Sequence, residues 1–200
     1  NNTALYFEVP NSLYTLRDLG IWDIIYEHCG YFSESSLARV FTNSGFAVQG
    51  LREVFGKQFL SIEAQPSAEG NSDAQASTSI SLVAAYADAF EKADAEMLAT
   101  WKSRIDGFKQ GQKRGVVWGA GSRGVTFLNV LKVKDEVANI VDLNVHKQGK
   151  YVAGTGHQVV SPESLKDCPP DMVIVMNPLY ADEIANSLKE MDVAAEIVIE

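Results

Sequence analysis

Apolar and β-prone residues crowd positions 3–9 and stop at Pro10, which predicts a strand. Between Ser12 and Tyr26 the apolar residues Leu13, Leu16, Leu19, Trp22, Ile24 and Ile25 recur at partly helical spacing, with Gly20 interrupting. Ser33-Glu34-Ser35-Ser36 offers side-chain acceptors to the first free amides of a helix, and Leu37, Val40 and Phe41 give that helix one apolar face. Gly45 stops it. Residues 46–51 and 59–64 read as two strands, expected to be antiparallel neighbours. The first 65 residues therefore predict strand, helix, helix, strand, strand.

From Pro66 to Ser79 no large apolar residue occurs. Such a segment cannot bury enough surface to offset its ordering entropy, so 67–79 is expected to be a linker after a first domain at 1–66. Leu82, Val83, Tyr86, Phe90, Met97, Leu98, Trp101, Ile105 and Phe108 then recur at helical intervals, predicting one amphipathic bridging helix over 80–110. Its stripe is expected to pack between the two halves. The region 111–200 alternates strands (115–118, 138–142, 172–176, 196–199) with helices (122–132, 182–191). Short links and apolar strands predict a small doubly wound parallel sheet of four strands.

Composition narrows the function classes. The 200 residues are 46% hydrophobic and 22% charged, enough for a real core. An excess of 26 acids over 17 bases argues against a dedicated nucleic-acid binder. No run of 18 apolar residues predicts a membrane span, and no basic segment precedes an apolar stretch. Cys29 and Cys168 are far apart, and with His28, His146 and His157 they show no metal-ligand spacing. A reduced, cytoplasmic setting without a metal is expected. The chain opens Asn-Asn-Thr without Met, as a piece of a longer protein would.

Two places carry candidate chemistry. Gly119-Ala120-Gly121-Ser122-Arg123-Gly124 fits G-x-G-x-x-G between a strand and a helix, and Asp142 ends the next strand. Glycines let backbone approach a phosphate, and the helix start offers free N–H groups. Arg123 would add a charge-assisted contact and Asp142 would accept from ribose hydroxyls. Lys147 and Lys150 follow near the same sheet edge, as do Asn177 and Tyr180. The plain alternatives are a tight turn, a solvated basic loop, and an Asn that caps the next helix. Tyr26-Glu27-His28 is the second place. A Glu beside a His among aromatics suits a base with an electrostatic helper, whereas a lone His near apolar residues also suits a satisfied core position.

Taken together, these residues resemble a known family. Phe7-Glu8-Val9-Pro10-Asn11, Asp23-Ile24-Ile25-Tyr26-Glu27-His28, Tyr31-Phe32-Ser33, Ser36-Leu37 and Gly45-Phe46 look like the late part of a class I S-adenosylmethionine methyltransferase. More narrowly, they are similar to the sugar C-methyltransferases that act on nucleotide-linked keto-deoxysugars. Val117-Trp118-Gly119-Ala120-Gly121, Val141-Asp142, Lys147-Gln148-Gly149-Lys150, Gly154-Thr155, Ser161-Pro162-Glu163 and Tyr180-Ala181-Asp182-Glu183-Ile184 are similar to that family's C-terminal Rossmann-like domain. The chain departs from the family pattern at Arg123, Ala153, Met176 and Phe55-Gly56-Lys57-Gln58, which suits a divergent branch and leaves the sugar and the methylated atom open.

The resemblance implies a partial class I methyltransferase fold followed by a Rossmann-like domain. It implies His28 as the base, Glu27 as its electrostatic partner and Tyr26 nearby. Gly119, Gly121, Ser122, Arg123, Asp142, Lys147, Asn177 and Tyr180 are then expected to hold the nucleotide sugar. S-adenosylmethionine would be bound mainly by a preceding part, so the piece alone would not catalyse. Its first strand would be left exposed, or re-paired in a homodimer. The rival readings are an NAD-linked oxidoreductase fragment and a non-catalytic nucleotide-binding module.

Overall fold

The computed structural model describes residues 3–67 and 80–200. All of the expected linker except Ser67 lies outside them. The chain divides into two units, 1–95 and 96–200.

In the first unit, β1 (Leu5–Pro10) leads to α1 (Ser12–Arg17), a single 3-10 turn (Ile21–Asp23), α2 (Glu34–Asn43) and the hairpin β2 (Phe46–Val54) and β3 (Phe59–Pro66). The sheet order is β1-β3-β2, with β3 antiparallel to both neighbours. Local sequence explains the joints. Asn11 caps α1 by accepting from the Leu13 amide. Ser33 and Ser36 form a reciprocal capping box on α2, and Gly45 leaves that helix at φ +82°. Leu37, Leu60 and Ile62 make the core, with Val9, Phe32, Phe41, Val48 and Leu51 against it. β2 runs three residues past the predicted Leu51. The apolar pattern lapses at Arg52-Glu53 but the ladder does not, and Arg52 instead pairs across strands with Glu63 at 2.6 Å.

The helix α3 (Ile80–Gln110) starts in the first unit and ends in the second. Its C-terminal part buries Trp101, Ile105 and Phe108, and Trp101 meets Phe127 edge-on at 5.1 Å. The second unit continues with β4 (Gly115–Trp118), α4 (Ser122–Val130), β5 (Val137–Val141), β6 (Val159–Val160), α5 (Ser164–Asp167), β7 (Met172–Val175), α6 (Ala181–Glu190) and β8 (Glu196–Ile199). All five strands are parallel, in the order β6-β5-β4-β7-β8. This is a doubly wound, Rossmann-like α/β sheet. The sequence predicted four strands. The fifth, β6, has two residues, too few to show a period. The predicted helix 122–132 stops at Val130, because Lys132 turns left-handed (φ 54°) and the Val133 amide bonds back to Leu128. No helix among the described residues is long and apolar enough to cross a membrane.

Candidate functional site

The first unit gathers its chemistry where β1 ends and β3 begins. Asn11 is buried there and ties three segments together. Its Nδ2 donates to Glu53 Oε1 (3.0 Å) and to the Lys57 carbonyl (2.9 Å), and its Oδ1 holds the Leu13 amide. The 3-10 turn aims the Asp23 carbonyl at two side chains. Tyr31 donates its hydroxyl to that oxygen at 2.6 Å, and His28 Nδ1 lies 2.9 Å from it. A carbonyl can only accept, so Nδ1 is the donor, and in the neutral ring the lone pair is then on Nε2. Burial first of all raises the Tyr31 phenol above its ordinary value, which keeps it a donor. The half-buried His28 ring sits edge-on to Tyr31 (6.0 Å) and to Phe59 (6.3 Å). Phe59 in turn meets Phe55 at 6.1 Å. Four rings thus form a row, Tyr31–His28–Phe59–Phe55, with a base-competent nitrogen in it.

Not every expected neighbour joins this row. Tyr26 is 98% exposed. Glu27 is exposed too, and no hydrogen bond or ion pair links it to His28. Adjacent residues in a turn point different ways, so adjacency carried little information. The residues that hold His28 are instead the Asp23 backbone, Tyr31 and Phe59. The first is invisible to residue-type reasoning and the last is distant in the chain.

In the second unit the glycine turn lies at the C-terminal ends of β4 and β7. There the strand order reverses direction, which is where doubly wound sheets bind ligands. Gly119 stands at φ +116°, and Gly121 leads into α4 with no side chain capping the helix. The Ser122, Arg123 and Gly124 amides open the first turn of that helix, where no intrahelical acceptor exists. Asp142 is spent on the turn itself. Its Oδ2 accepts from the Ala120 amide (2.9 Å) and from Lys147 Nζ (3.1 Å), and its Oδ1 from the Asn144 amide (2.8 Å). Lys147 also donates to the Ala120 carbonyl at 3.0 Å. Arg123 reaches the Met176 carbonyl at 3.4 Å. Asn177 caps the short turn before α6 by accepting from Leu179, and Tyr180 is exposed at its end. Lys150 is exposed.

Asp142→Asn is expected to destabilise the second unit by about 1–3 kcal/mol, because either amide orientation sets an NH₂ group against an N–H donor. Urea unfolding followed by circular dichroism checks this, and an unchanged midpoint would remove the brace.

Sequence reasoning missed a cavity of about 740 Å³ at the opposite edge of this sheet, lined by Asn129, Lys134, Val137, Tyr151, Thr155 and His157 among others. His157 is buried there, with Thr155 Oγ1 and the Lys134 carbonyl each 2.8 Å from a ring nitrogen. Among the described residues no group of three His, Cys, Asp or Glu side chains is placed to hold a metal.

Comparison with known proteins adds one match. The family model described as "C-methyltransferase C-terminal domain" matches residues 62–199. No curated protein matches the chain.

Proposed function

The chain belongs to the family of C-methyltransferase C-terminal domains, and on that premise we propose that it is the acceptor-handling portion of an S-adenosylmethionine-dependent methyltransferase acting on a nucleotide-linked ketosugar. The observation that carries this reading is the state of His28. The Asp23 carbonyl holds Nδ1 as a donor, which leaves Nε2 as the ring's acceptor of protons, and the ring itself stands edge-on to Phe59. A C-methylation needs a carbon nucleophile, and the accessible route is to remove the proton next to a ketone. In this proposal Nε2 takes that proton and the substrate becomes an enolate. Glu27 and Tyr26 have no assigned step in this proposal.

The second unit enters as the holder of the nucleotide's diphosphate. The uncapped start of α4 at the reversal of strand order, with Arg123 and Lys147 beside it, supports that role. Asp142 acts there as the brace of the turn. S-adenosylmethionine supplies the methyl group. The Gly119 turn is assigned to the nucleotide sugar rather than to the adenosine of S-adenosylmethionine, because the acid that would accept from ribose hydroxyls already takes two amides and a lysine. The same commitment weighs against an NAD-linked oxidoreductase.

Deuterium wash-in is the test. The complete methyltransferase, incubated in heavy water with a nucleoside-diphosphate ketosugar, is expected to label the carbon next to the ketone above the uncatalysed rate. Methylation without any labelling or proton release at that carbon would overturn the His28 chemistry.

A further inference from the structure

The hairpin between β2 and β3 has an unusual backbone. Phe55, Gly56 and Lys57 stand at φ 49°, 60° and 69°, three left-handed residues in succession. Only the middle one is glycine, and a bulky residue is a poor choice for this region. The turn is nevertheless firmly held. Asn11 reaches the Lys57 carbonyl with its side chain and the Gln58 carbonyl with its amide, and the Gln58 amide bonds to the Phe55 carbonyl. A strained position over-determined by its surroundings often marks a functional one. The strain here buys no burial, because Phe55 remains 47% exposed. What it does is place an aromatic ring beside Phe59, at the end of the row that contains His28.

We propose that Phe55 is a specificity-determining residue of the His28 site, the outer wall of an aromatic cleft that it forms with Phe59 for the sugar ring. The inference rests on the reading of His28 as a base for a ketosugar. Phe55 and Phe59 meet at 61°, so with the reacting carbon at His28 the far edge of the acceptor is held against the inclined face of Phe55. The faces of aromatic rings are electron-rich and favour the C–H face of a ligand over its hydroxyls. A deoxygenated sugar has more such surface than a fully hydroxylated one. Phe55 therefore selects the deoxysugar, and it does so by binding rather than by chemistry.

The test uses the complete methyltransferase and a nucleoside-diphosphate keto-deoxysugar. Phe55→Asn is expected to raise KM about 10–100-fold with kcat nearly unchanged. Its melting temperature should hold or rise, because Asn tolerates the left-handed region. Phe55→Tyr should restore KM. Phe55→Asn with the wild-type KM would overturn the inference, as would a Tyr variant as poor as the Asn variant. In both cases the His28 reading stands, provided the wild type methylates the sugar. A wild type that leaves the ketosugar unmethylated overturns that reading and this inference together.

Discussion

His28→Asn is expected to lower the methyl-transfer rate by about 10²–10⁴-fold, the usual worth of a positioned general base. Asn is the informative replacement. Its amide nitrogen stands where Nδ1 does and can still donate to the Asp23 carbonyl, so the local fold has no reason to change. It cannot take up a proton near neutral pH. The Tyr31 hydroxyl continues to hold the same carbonyl at 2.6 Å, and its raised phenol keeps it protonated while it does so. Stability and far-ultraviolet circular dichroism should therefore match the wild type while turnover and deuterium wash-in fall together. A variant with normal turnover would remove His28 from the reaction. Glu27→Gln is the built-in comparison. An equal loss there would restore the helper role that the geometry does not display, since Glu27 makes no bond to His28.

What the sequence disclosed, and what it hid, follows physical lines. The helix α3 was legible across its whole span because nine large apolar residues repeat at its period. β4 and β7 were legible because parallel strands buried on both faces read as short apolar runs. β6 was not, since two residues carry no periodicity and its place is set by pairing with β5. His28, the proposed base, was legible as a residue type. Its surroundings were not, because one partner is a backbone carbonyl and another, Phe59, arrives through the β1–β3 register that pairs Pro10 with Phe59. Asp142 is a different case. Its spacing after the glycine turn suits a ribose acceptor, and it equally suits an acid that closes the turn onto Ala120, which is the bond the structure displays.

Gly124→Ala is expected to destabilise the second unit by at least about 2–3 kcal/mol, at the upper end of overpacking costs. A Cβ at Gly124 would lie 2.1 Å from the Gly119 carbonyl oxygen and 3.0 Å from Ile140 Cδ1. Neither can move aside. The Gly119 amide is bonded to Val141 at 2.8 Å, and Ile140 is fully buried. Gly121 is the contrast, three residues earlier in the same motif. Its backbone is extended, and a Cβ there would meet nothing within 4 Å. Gly121→Ala should leave thermal unfolding nearly unchanged, read from the fluorescence of Trp101 and Trp118 against that of Trp22. If both variants unfold alike, the close helix–strand approach is not what the third glycine serves. If they differ as expected, Gly121→Ala gives a folded protein with a methyl group beside the exposed amides of α4. Calorimetry with a nucleoside diphosphate on that variant then separates the two meanings of the motif. Weakened binding marks a phosphate cradle, and unchanged binding leaves the glycines as packing alone.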